Sequence, residues 1–362
     1  AIFAEQENRI SLVDTNVSKN VAFLGGGGIA TTVANSLILT NSSFIANMAG
    51  TVGGALSIQG DTVAYFYGVT TFTANNASFG GGAVACINSP IWFLEQNGSI
   101  VVEGNVAAIG SALFFKGVVA STFSTYSVSP TFESETSVFA AVGEILADDI
   151  LHNLLISNNE ATVGGTVYWI YDSSMEEEPA GLRSSTVVWG NNVAPYGVIA
   201  TTQAISILGP TDYEVTVYED SLSPPLVFKL YDFYNVLIPQ EGVTSVVASI
   251  SNAADFDCHE QSRSLTGSDM FAGGVQMANG SAIFSSLEAS CSPLGYMSLD
   301  FEARLADVFV GDSALISPYY IKNSTLLNFR SCVSGERYTA RACLECAEGS
   351  YSLEENSASC IN

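Results

Sequence analysis

FIANMAGTVGGALSI, residues 44–58, and FTANNASFGGGAVACI, residues 72–87, are two copies of one pattern. In each, an apolar residue, two variable residues and an asparagine are followed five or six residues later by glycine and a short apolar run. Further copies are VSKN ending at Asn20 then GGGGIA, VEGN ending at Asn105 then GSALFF, ISNN ending at Asn159 then GGTVYWI, and VWGN ending at Asn191 then GVIA. The asparagines are spaced by 27, 28, 30, 54 and 32 residues. Because 54 is twice 27, the spacing predicts a repeat between Asn105 and Asn159 that has lost its signature, with the acidic stretch Ser121–Asp149 in its place.

A repeat of about 28 residues is long enough for a helical pair, but the local alternation has period two and is rich in Val, Phe, Thr and Tyr, as in TVAYFYGVTTF (residues 62–72). Strands therefore win over helices. Three short strands per unit with Gly and Asn at the corners predict one rung of a right-handed parallel β-helix, about seven rungs in all over residues 1–206. Asparagine suits a corner because it tolerates the left-handed conformation and its amide can bond the same amide one rung away. Asn20, Asn47, Asn75, Asn105, Asn159 and Asn191 are the expected ladder. The run Gly25–Gly28 falls at such a corner and so has a structural explanation.

The paired FxxN and GGA motifs resemble those of the chlamydial polymorphic outer-membrane proteins and of the β-helical regions of large algal, oomycete and other protist surface proteins. The resemblance covers residues 1 to 206 and implies a fold; its motif residues carry no chemistry.

From about Ile207 the character changes. YEVTVYE, LVFKLYDF, TSVVASIS, SAIFSSLEASC and YMSLDFEA alternate with turns containing Pro210, Pro224, Pro225, Gly242 and Gly267, which predicts an immunoglobulin-like β-sandwich over 207–330. Cys258 and Cys291 lie inside it with no third cysteine nearby, so one disulfide is expected. Residues 331–362 form a third unit with the pattern Cys332-x10-Cys343-x2-Cys346-x13-Cys360 and an EGSYS segment. This resembles the ephrin-receptor-like cysteine-rich modules, and the resemblance implies Cys332 with Cys343 and Cys346 with Cys360. Such modules continue with a further cysteine, so this one reads as truncated. The start, AIFAEQENRI, has neither a basic region nor an apolar one of signal-peptide type, and mature product and piece of a longer polypeptide both stay open.

Composition narrows function. Lys and Arg number 11 against 36 Asp and Glu, a formal net charge of −25 at pH 7, which repels phosphate backbones and anionic headgroups and argues against nucleic acid as partner. No apolar run approaches the roughly 18 residues that a membrane helix needs, so no direct insertion is expected within this segment. Only 13% of residues are charged while 48% are hydrophobic, so something other than charge must keep the surface in water. Six N-glycosylation sequons, at Asn16, Asn41, Asn76, Asn97, Asn279 and Asn323, offer glycans for that task, four of them near expected corners.

The catalytic inventory is thin. Parallel β-helices often carry polysaccharide lyases and hydrolases, which need clustered carboxylates, and lyases also a basic residue. Asp148 and Asp149, in EILADDILH from Glu144 to His152, have no Lys or Arg nearby and read as a solvated turn. The CxxC of Cys343 and Cys346 lacks a second ligand pair, because His152 and His259 are the only histidines. Glu176, Glu177 and Glu178 read as a solvated run rather than a calcium site, and Asp255, Asp257, His259 and Glu260 around Cys258 as a surface loop tied by the disulfide rather than a metal site, so no cofactor is expected and calcium alone stays open. Cys86, in the apolar strand AVACI, reads as a buried hydrophobe. The expectation is an extracellular structural or adhesive glycoprotein, a non-enzymatic repeating subunit of a cell-surface filament, flagellar hair or wall layer that meets copies of itself head to tail. The alternative is a protein that binds or cleaves polysaccharide on the long face of the β-helix, and glycans are possible partners in either case.

Overall fold

The computed structural model describes residues 1–5, 9–32, 36–60, 62–89, 91–94, 99–117, 154–171, 178, 182–183, 187–215, 222–239, 245–251, 258, 263–267, 274–304, 308–310, 313–316, 320–339 and 342–361. The described residues are all-β, with no helix, so none is long and apolar enough to cross a membrane. They form two compact units, Ala1–Gln203 with Phe309–Leu315, and Ala204–Val308 with Ile316–Asn362. The first unit's main segment ends at Gln203, and the cysteine-rich segment falls in the second unit.

In the first unit, successive strands go in rotation to four parallel sheets, and each strand pairs with its counterpart one repeat away. Leu56–Gln59 shows the rule: it pairs in parallel with Ile29–Thr32 on one side and Val84–Ile87 on the other, Leu56 facing both Ile29 and Val84. The first sheet has seven strands, Ile2–Glu5 to Ala200–Thr201. The second has four, Arg9–Val13, Ser36–Thr40, Val63–Tyr67 and Ile91–Leu94. The first four repeats thus have four strands each where the alternation predicts three. The additional ones, such as Met48–Ala49 and Asn76–Ala77, are only two residues long, too short to leave a period in the sequence.

Equal register stacks like side chains. Phe44 and Phe72 are both fully buried, with ring centroids 5.3 Å apart, and Phe66 lies 5.5 Å from Phe72. Ile29, Leu56, Val84, Leu113 and Val167 form a second inward column. Burying each such side chain stabilises the fold by about 1.5–3 kcal/mol. At one corner Gly53 and Gly81 take left-handed φ of 67° and 66°, which a side chain resists by roughly 1–2 kcal/mol.

The gap of 54 residues is not two repeats. Ile100–Glu103 pairs directly with Leu154–Ser157, and Leu113–Lys116 with Val167–Trp169, so Asn105 and Asn159 belong to neighbouring repeats. Strands pair only at about 4.8 Å, which leaves no room for a layer between them. Residues 118–153, between Leu113–Lys116 and Leu154–Ser157, lie outside the described residues.

The second unit has two principal sheets. One is five-stranded, in the order Asp212–Val215, Tyr320–Phe329, Tyr296–Arg304, Ser245–Ile250, Val275–Gln276, with its first pair parallel and the rest antiparallel. The other is antiparallel, from Ser206–Leu208, Leu226–Tyr231 and Ser281–Phe284. Phe301 of the first sheet stacks on Phe228 of the second at 4.0 Å and meets Phe284 edge-on at 5.1 Å, all three fully buried. Aromatic contact of this kind joins the sheets.

Disulfides link Cys258 with Cys291, Cys332 with Cys343, and Cys346 with Cys360. Next to them, Arg330 donates from both guanidinium nitrogens to the Glu336 carboxylate at 2.8 and 2.7 Å, and the Val333 N–H donates to it at 3.0 Å. The guanidinium bonds hold the Glu336 carboxyl below its usual range. A carboxyl with a lowered pKa stabilises the fold above its unfolded value, near pH 4.3, and that contribution is lost as pH falls through the folded value. Glu336→Gln is therefore expected to lower the melting temperature by roughly a few degrees at pH 7, with a deficit that shrinks as pH falls below about 4. Scanning calorimetry of both proteins across pH checks this, and a deficit undiminished in acid contradicts it.

Candidate functional site

The asparagine ladder is built from one repeated contact. The backbone N–H and the Nδ2 of Asn47 both donate to Oδ1 of Asn75, at 3.0 Å each, while Asn47 Nδ2 also donates to the Val17 carbonyl at 2.8 Å. Asn75 repeats this on Asn105 and Phe44, and Asn105 on Asn159 and Phe72. Asn20 donates to Asn47 and begins the series. The last member is Asn192, not Asn191: Asn159 donates to Asn192 Oδ1 at 3.0 Å, and Asn192 Nδ2 to the Ile156 carbonyl at 2.8 Å. The expected VWGN is one residue early because Trp189, not Val188, shares register with Ile156. Asn191 is exposed at φ 47° and takes the left-handed place that Ala46, Ala74 and Asn158 take in earlier repeats. These amides are committed to one another, so the ladder is architecture and carries no chemistry.

Other sequence candidates resolve in the same way. Sulfur atoms of Cys332 and Cys343 lie within 4.8 Å of a Glu336 oxygen, but the sulfurs are joined to each other and the carboxylate to Arg330. Such a set has no thiolate to offer a metal. Cys343 and Cys346 belong to different disulfides. Cys86 is free and fully buried between its register neighbours Ile58 and Phe115, and burial pushes its thiol pKa up, the reverse of what a nucleophile needs. Glu178 pairs with Arg183 at 2.9 Å. Glu144, Asp148, Asp149, His152, Glu176, Glu177, Asp255, Asp257, His259 and Glu260, with the sequon at Asn97, lie outside the described residues.

Among the described residues, two surfaces are left. The first is the edge formed by Ile2–Glu5, Arg9–Val13, Asn16–Ser18 and Val21–Ala22, the outermost strands of all four parallel sheets. Apolar side chains crowd there: Phe23 is 91% exposed, Val21 71% and Phe3 66%, with Val13 and Leu24 also exposed. Edge strands present unpaired N–H and C=O groups, and an apolar fringe beside them favours another strand over water. The second is the outer face of the second sheet, where Tyr65 and Tyr67 stand two residues apart with ring centroids at 6.5 Å and planes 29° apart. Burial raises the pKa of both phenols, Tyr67 to about 12 with Tyr65 adding and Arg9 opposing, so both stay neutral at physiological pH.

No protein family, curated protein or solved structure matches the chain.

The described sequons divide by the state of their amides. Asn16, Asn41, Asn76 and Asn279 are exposed. Asn323 is half-buried on a central strand, its Nδ2 donates to the Ile207 carbonyl at 2.7 Å, and Thr325 of the same sequon is buried with its hydroxyl on the Pro210 carbonyl. Nothing in the local sequence marked Asn323 as different, because its partners lie more than a hundred residues away.

Proposed function

We propose that this chain is an extracellular structural glycoprotein whose first unit is a right-handed parallel β-helix of seven rungs and whose second combines an immunoglobulin-like sandwich with a cysteine-rich module of ephrin-receptor-like type. It serves as a repeating subunit of a cell-surface filament, flagellar hair or wall layer. Three disulfides support an oxidising, extracellular-type setting.

One observation supports the assembly: the strands of the first described repeat are outermost in all four sheets, and Phe3, Val21 and Phe23 are exposed beside them. More strand completes an edge of this kind, and in this reading a second copy joined head to tail supplies it in a heterologous contact that does not close. Sedimentation of the purified protein tests this. The wild-type chain is expected to form species that grow with concentration, and the Val21→Asp, Phe23→Asp double variant to associate at least about tenfold more weakly, since two apolar anchors are lost. A wild-type protein that sediments as a monomer at every concentration overturns the reading, and electron microscopy of native material provides the direct view.

A further inference from the structure

We propose that Asn41 carries an N-linked glycan whose first sugar stacks on the Tyr67 and Tyr65 rings, a contact built into the second sheet. The inference rests on the reading of the chain as a secreted glycoprotein and gives one sequon a partner.

Asn41 is held ready for modification before any sugar is attached. Its backbone sits at φ 48°, its N–H donates to the Tyr67 carbonyl at 3.2 Å, and its Oδ1 accepts from the Val69 N–H at 3.1 Å. The carboxamide occupies the place where a side chain on residue 68 would stand, since a Cβ on Gly68 would lie 2.2 Å from Oδ1. Thus Oδ1 is pinned, whereas Nδ2 donates to nothing among the described residues. N-glycosylation leaves Oδ1 as an acceptor and consumes only one Nδ2 hydrogen, so the pinning bond survives the modification.

Asn41 also stands beside an aromatic surface. The residue before it, Thr40, is the register partner of Tyr67, and the carboxamide leans on Gly68–Val69, the corner that Tyr67 enters. An N-linked sugar therefore emerges at the end of the strand where the Tyr67 ring stands, with Tyr65 6.5 Å further along the same face. The C–H face of a pyranose packs on aromatic carbon while its hydroxyls and acetamide exchange hydrogen bonds with neutral phenols. At Asn76, by contrast, the register neighbours are Met48 and Val106, and no ring shares the row.

The transfer balances with a polyprenyl-diphosphate-linked oligosaccharide as donor: the bond from sugar C1 to Asn41 Nδ2 forms as the C1–O bond to diphosphate breaks. Polyprenyl diphosphate leaves, and the Nδ2 proton passes to the transferase and then to water.

The test uses the full chain secreted from a glycosylating eukaryotic host. Peptide mapping is expected to find Asn41 occupied and Asn323 bare. Asn41→Gln is then expected to lower the melting temperature by about 3 °C in the parent and in Tyr67→Phe, which keeps the ring, but by under about 1 °C in Tyr67→Ala. Occupancy at Asn41 with equal losses in all three backgrounds overturns the stacking and leaves the glycoprotein reading intact. Occupancy elsewhere but not at Asn41 overturns this site alone, and a chain bare at every sequon overturns the glycoprotein reading as well. If the glycosylated parent binds a soluble neutral polysaccharide through Tyr67, the rings serve an external ligand and the proposal fails.

Discussion

Asn75→Ala is expected to lower the melting temperature by roughly 10 °C or more, far beyond an ordinary polar-to-alanine change. Asn75 is fully buried and ends four contacts. Its Oδ1 accepts from the N–H and the Nδ2 of Asn47, and its own Nδ2 donates to the Phe44 carbonyl and to Asn105 Oδ1. Alanine leaves two donors of Asn47 unsatisfied in a fully buried site. Each orphaned buried group costs about 1–3 kcal/mol, so the loss is about 4 kcal/mol. The corner residues give the control. Asn192→Ala breaks the terminal link to Asn159 and is expected to cost about half as much, because Asn192 is only half-buried, so water reaches the donors of Asn159, and among the described residues it donates to no further ladder amide. Asn191→Ala loses only a favourable residue at positive φ, and Asn191→Gly is expected to be neutral within about 0.5 kcal/mol. Scanning calorimetry of the four proteins checks the order, and Asn191→Ala more damaging than Asn192→Ala contradicts the ladder as described.

That one-residue difference shows what the sequence could carry. Periodicity was legible because each repeat sets an amide at the same place to bond the next, and five of the six expected positions take part in that ladder. The sixth failed at an Asn-Asn doublet, where both residues fit the pattern and only the inward direction of Trp189 decides between them. The same limit hid the two-residue strands and made a single 54-residue interval look like two repeats, since arithmetic on spacing cannot tell an insertion from a worn copy. The candidate surfaces were less legible still. Tyr65 and Tyr67 read as ordinary strand residues, and their relation to Asn41 exists only after Ser36–Thr40 has paired with Val63–Tyr67. The unsuitability of Asn323 depends likewise on carbonyls of Ile207 and Pro210 that the chain brings back from far away.

Gly54→Ala should be as damaging as loss of a ladder amide, for a different reason. A Cβ on Gly54 would lie 2.1 Å from the Gly82 carbonyl oxygen and 2.6 Å from the Asn76 nitrogen, all backbone that cannot rotate away. Gly27 and Gly82 meet the same obstacle, at 2.2 Å from the carbonyls of Gly54 and Ser111. To admit a methyl group, neighbouring repeats must separate, and with them goes the bond from Gly54 N–H to the Gly81 carbonyl at 3.0 Å. Overpacking against fixed backbone costs about 3 kcal/mol or more. The position is not glycine in every repeat: after Gly110 comes Ser111, just past the point between Ala107 and Ile109 where the register of Val106–Ile109 with Glu160–Gly164 shifts by one residue. Ser111→Gly is therefore expected to cost no more than about 1 kcal/mol, the entropy of an added glycine. Gly335→Ala meets no atom within 4 Å and suffers only the strain of its φ of 92°. Hydrogen exchange on Gly54→Ala should show loss of protection at Gly54 and at Gly27, the residues stacked through this corner, while Ser111→Gly retains it. Equal protection in the two variants would mean that the repeats are not in close backbone contact at Gly54, and the packing described for that corner would be wrong.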